Sequence, residues 1–88
     1  MNAVMFRLFK SRAENELDVL VAKVQSNMAN NYKDAAQSAF KDLAERYSEL
    51  CETGELKASR RAYYEGIIDS FRERLQQFTH KDQKPYWT

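Results

Sequence analysis

Apolar residues recur along this chain at the three- and four-residue steps of a helix, in three successive stretches. In the first, Ala13, Leu17, Leu20, Val21, Val24 and Met28 draw one apolar stripe. Ser11 followed by Glu14 has the spacing of a capping box, and Glu14, Glu16 and Asp18 put negative charge where a helix start favours it. Asn30 and Asn31 mark the end, and Asn31 with Asp34 is expected to cap the next helix. The second stretch carries Ala36, Phe40, Leu43, Tyr47 and Leu50, flanked by Ala35, Ala39 and Ala44, and Gly54 is its stop signal. The third carries Tyr64, Ile68, Phe71, Leu75 and Phe78, widened by Tyr63 and Ile67. Gly66 interrupts it, either to allow a close backbone approach or at a tolerated cost of about 1 kcal/mol relative to Ala.

The spacing predicts helices over 12–29, 32–53 and 56–79. The links are a few residues long, which brings neighbours together as antiparallel pairs. The expected fold is therefore all-α: an antiparallel three-helix bundle over 11–79 in a single helical domain, 1–88. Residues 1–10 form an N-terminal amphipathic arm or an extension of the first helix, and 80–88 a short C-terminal tail. Pro85 is expected to end any helix before Tyr86 and Trp87. Leu17, Val21, Val24, Phe40, Leu43, Tyr47, Ile68, Phe71 and Leu75 are the expected core.

Composition narrows the function more than the fold. Of 88 residues, 43% are apolar and 31% charged, a globular balance. Fourteen Lys and Arg against thirteen Asp and Glu leave +1, so no global charge draws the chain to nucleic acid or membrane. The single Cys51 excludes an internal disulfide and fits a reducing cytoplasm. No apolar run approaches the roughly 18 residues that span a bilayer. The acid-free, basic opening through Arg7, Lys10 and Arg12 has the composition of a targeting segment, but packing on the domain or on a partner is the simpler reading.

No catalytic motif is present: the chain has no glycine-rich phosphate loop and no metalloprotease or hydrolase signature. His80 is the one histidine, in a polar stretch. Cys51 lies beside Glu49 and Glu52, which disfavour a thiolate. Asp42, Glu45, Glu49 and Glu52 line one helix face; they read as a solvated strip rather than a metal site, with Asp42 and Arg46 as an i,i+4 pair. Lys57, Arg60 and Arg61 sit at the positive end of the third helix, with Arg72 and Arg74 beyond. Pairing of this basic set with the acidic strip across the second and third helices is the first expectation.

These features point to a small non-enzymatic interaction module, an adaptor, inhibitor or subunit without cofactor or metal. It docks another protein or itself, as a homodimer, through Phe6, Phe9, Arg60, Arg61, Tyr63, Tyr64, Tyr86 and Trp87. The alternative is a nucleic-acid-associated accessory protein using the basic and aromatic face of the third helix. A helix-turn-helix reader is disfavoured, because aligning Gly54 as the turn places Leu50 where a small residue belongs and Arg60 where the core should be.

Overall fold

The computed structural model describes residues 10–87, and side chains through residue 76. Three helices make up the described chain: α1 (Arg12–Ala29), α2 (Lys33–Thr53) and α3 (Ala58–Trp87). No strand occurs among the described residues, so the expected all-α, three-helix class holds. α1 packs on α2, and α2 on α3. The arm residues 1–9, including Phe6 and Phe9, lie outside the described residues.

Local chemistry sets each boundary. Ser11 is in extended backbone, and its Oγ accepts the Glu14 N–H at 3.1 Å. Only half of the capping box forms around it, because the Glu14 carboxylate turns to Arg60 instead. At the other end of α1 the chain reverses through Asn31, whose φ of 62° is left-handed. The Tyr32 N–H reaches the Asn27 carbonyl at 2.8 Å and the Asn31 N–H reaches that of Met28 at 3.0 Å, together a Schellman closure. Asn31 is thus spent on ending α1, and the expected cap of α2 is corrected: its N-cap is Tyr32, with no side-chain capping bond. The same backbone cannot be left-handed and also hold the extended conformation of an N-cap.

α2 ends at Gly54, φ 79°, where glycine escapes the Cβ clash. Two of its last carbonyls, those of Leu50 and Cys51, are engaged. Leu50 receives the Leu56 N–H at 3.2 Å and the Thr53 hydroxyl at 3.3 Å. Cys51 receives the Gly54 N–H at 3.3 Å and Arg61 Nη2 at 3.2 Å. Arg61 Nε also donates to the Leu56 carbonyl at 3.3 Å, and the Arg61 carbonyl accepts the Tyr47 hydroxyl at 3.3 Å. One guanidinium therefore caps α2 from α3, a cation where the helix dipole is negative.

Leu17, Val24, Leu43, Ile68, Phe71 and Leu75 are buried, as expected from their spacing. Val21, Phe40 and Tyr47 are only partly buried and pack around the core edge, a correction to the expected core. Their places inside are taken by Ala13, Ala36, Ala39, Leu50, Leu56 and Tyr64. Small Ala36 and Ala39 let a neighbouring backbone approach. Leu56 lies in the link before α3 and anchors it from within.

α3 runs for 30 residues through Pro85 to Trp87, so the expected tail is helical backbone. A proline in the final turn removes a single ladder bond, and the Lys and Gln residues before it are good helix formers. Nothing lies within 4 Å of the position a Cβ would take on Gly66, so no close approach requires the glycine.

Two outcomes test the packing. Gly66→Ala should raise stability by about 0.5–1 kcal/mol, since the helix gains propensity and meets no clash. Leu43→Ala, at a fully buried position, should cost about 2–5 kcal/mol. Urea unfolding of both variants beside the parent chain measures these differences.

Candidate interaction site

The first turns of α1 and α3 and the last turns of α2 meet at one end of the bundle. Arg46 on α2 forks onto Glu16 of α1, with Nε–Oε2 at 2.7 Å and Nη2–Oε1 at 3.2 Å, and its Nη1 reaches Glu49 at 2.9 Å. This corrects the expected Asp42–Arg46 pair: a carboxylate on the facing helix accepts both prongs of the fork, which an i,i+4 neighbour on the solvated side does not match. The Arg46 hydrogen bond holds the Glu16 carboxyl below its ordinary range.

Between α1 and α3 the links share residues. Tyr64 is fully buried, and its hydroxyl donates to Asp18 Oδ1 at 2.7 Å and lies 3.3 Å from the Glu14 carbonyl. Lys10 Nζ holds the other Asp18 oxygen at 2.6 Å. Arg60 Nε donates to Glu14 Oε2 at 3.2 Å. The Arg60 guanidinium lies 4.6 Å from the Tyr63 ring centroid and 5.9 Å from that of Tyr64. The two rings meet edge to face with centroids 4.9 Å apart.

Each sequence candidate can now be placed. Arg60, Tyr63 and Tyr64 are brought together. Tyr64 offers no surface, because its ring is core; of two adjacent tyrosines only one can follow the stripe. Tyr63 is the one left out, 51% exposed. Arg61 is half-buried and committed to the α2 carbonyls. Tyr86 and Trp87 belong to the helical backbone of α3, beyond the described side chains.

The expected pairing of the basic set with the acidic strip gives way to other partners. Arg60 goes to Glu14, Arg61 to backbone carbonyls and Arg72 to Asp69 at 2.7 Å, while Arg72 also lies 5.7 Å from the Phe40 ring centroid. The strip on α2 faces away from the core, which puts it out of reach of α3. Glu14 thereby gives α3, which has no acid in its own first turn, the negative charge its dipole favours. The Arg60–Glu14 pair was not legible in the sequence, since its partners lie 46 residues apart, whereas Arg72–Asp69 is a local i,i+3 pair.

The cluster has the makings of a contact surface: a fixed, exposed aromatic ring stacked on a guanidinium whose position is set by a carboxylate. Among the described residues no group of three or more His, Cys, Asp or Glu is placed to hold a metal ion. No helix among them is long and apolar enough to cross a membrane. Among the described residues the large exposed apolar side chains, Val19, Tyr32 and Tyr63, are on three different helices or their ends rather than in one run.

The buried tyrosine gives a pH prediction. Burial pushes the Tyr64 hydroxyl well above its ordinary value, with the hydrogen bond to Asp18 adding to it, and burial pushes Tyr47 up to about 12. The folded state thus favours both neutral phenols. The stability they supply is complete below the ordinary value of 10.0 and is lost as pH rises above it. Tyr64→Phe should cost about 1.5–3 kcal/mol at neutral pH, the worth of a hydrogen bond to a charged group. It should also flatten the loss of stability above pH 10. Urea midpoints of both chains from neutral pH into the alkaline range measure the two effects.

Family models, curated proteins and solved structures offer no match to this chain.

Proposed function

We propose that this chain is a small non-enzymatic interaction module of the cytoplasm, an adaptor, inhibitor or subunit, which docks a protein partner through the Tyr63–Arg60 surface. The observation that carries this reading is the exposed Tyr63 ring held against Arg60, itself fixed by Glu14. A ring and a guanidinium already in place lose little conformational freedom on binding, and these two side chains dominate measured contact energies at protein interfaces. A second copy of the chain is one such partner. Among the described residues the large exposed apolar side chains are dispersed, which favours a different protein over a homodimer, because a two-fold contact is built on a continuous self-complementary patch.

A nucleic-acid role has less support. Arg60, Arg61 and Arg72 make their contacts within the chain, which leaves less uncommitted positive charge to release counterions from a phosphate backbone.

A photoreactive amino acid at position 63 in the native host tests the reading. The expected result is a discrete protein adduct that is lost when Arg60→Ala is added and is absent when the probe sits at exposed Ser38 on α2. Equal labelling from both positions would sink it. An adduct carrying nucleic acid, with binding that falls steeply as salt rises, would replace it with the accessory-protein reading.

A further inference from the structure

Hydrogen-bond acceptors around Tyr63 are used up, while donors are left over. Both Asp18 oxygens are taken, Oδ1 by the Tyr64 hydroxyl and Oδ2 by Lys10 Nζ. The Glu14 side chain is 13% exposed and faces Arg60 Nε. Arg60 spends only that one nitrogen on it; among the described residues its Nη1 and Nη2 have no hydrogen-bond partner. Lys10 carries three N–H donors, and among the same residues Asp18 is its acceptor. Both cations keep more than a third of their side-chain surface in water. Both also act on Tyr63: the Arg60 guanidinium lies 4.6 Å from its ring centroid, and the Lys10 ammonium is close enough to feel the phenol electrostatically.

Other arginines are used differently. Arg46 spends three nitrogens on Glu16 and Glu49, and Arg61 gives two to backbone carbonyls. Arg72 also has open nitrogens, yet its carboxylate, Asp69, is a neighbour on the same helix and 66% exposed, so little fixes the pair. Arg60 is held by a largely buried carboxylate on another helix and by two aromatic rings. Its open end is therefore presented in a set position.

A donor-rich, acceptor-poor surface fits an anionic acceptor, and a carboxylate matches the two-pronged end of a guanidinium. A nucleic-acid backbone suits it less. Such a backbone needs cations in a track, whereas the next exposed charges along α3 after Tyr63 are the acids Glu65 and Asp69. We infer that the partner segment that docks here is acidic at one position: its carboxylate accepts from Nη1 and Nη2 of Arg60, with Lys10 as the second cation, and its apolar neighbour lies on the Tyr63 ring. This rests on the docking reading above and supplies the chemistry of the partner.

The full chain tests it in solution against two end-capped peptides of alanine and leucine, one with a single central glutamate and one with glutamine in its place. Followed at the Arg60 Nε–H signal and the Tyr63 ring protons, the glutamate peptide should bind about fivefold more tightly, the increment of a partly exposed ion pair. The Arg72 side-chain signal in the same sample should move little. Arg60→Lys, which keeps the charge and loses the fork, should remove most of the preference. Equal binding of the two peptides, or shifts at Arg72 as large as those at Arg60, would overturn the inference. So would a short single-stranded DNA that moves the Arg60 and Tyr63 signals more than the glutamate peptide does. Photolabelling from position 63 separates this inference from the reading beneath it. An adduct whose attached partner segment holds no aspartate or glutamate sinks the acidic partner and leaves docking at Tyr63 standing; no adduct from position 63 sinks both.

Discussion

Tyr64 is the side chain on which the arrangement turns. It has the largest volume among the fully buried side chains, and its hydroxyl reaches from α3 to α1. Its hydroxyl would be a costly orphan there without a partner, and Asp18 supplies one. That bond fixes how far α3 is rotated about its own axis. Rotation by one residue would bring Tyr63 inward and take the Tyr64 hydroxyl away from Asp18. The positions of Arg60 on Glu14 and of Arg61 under α2 follow from the same rotation, because all three residues lie on one short stretch of helix.

Where α1 starts, α2 ends and α3 starts, ion pairs and hydrogen bonds converge: Arg46 on Glu16, Arg60 on Glu14, Tyr64 on Asp18 and Arg61 on Cys51. Toward the opposite end, among the described residues, Ala36, Phe40, Phe71 and Leu75 lie in or against the core and Arg72 lies over the Phe40 ring. The polar end carries geometric specificity. Its exposed ion pairs contribute little energy individually, and the stabilisation comes chiefly from the buried side chains of all three helices.

The helices and most of the core were legible because periodicity is a local signal. Ser11, Gly54 and the stripe through Leu17, Leu43 and Phe71 each declare themselves within a few residues. Asn31 was half legible: a boundary residue by type, though which helix it serves depends on a backbone angle. Pro85 misled, since the helix continues through it to Trp87. The candidate site was legible only as a list. Spacing showed that one of Tyr63 and Tyr64 must face away, but Arg60 could have chosen any of several carboxylates. Only the packed fold selects Glu14, 46 residues distant in sequence.

The Schellman reversal at Asn31 also bears on the order in which the molecule assembles. It joins α1 to α2 through contacts between residues close in sequence, so this hairpin closes with little loss of chain entropy. The contacts of α1 with α3 span 46 residues. The link between α2 and α3 is comparably short, so by loop closure alone either hairpin is inexpensive to form, and the α1/α3 contacts are the ones that require all three helices.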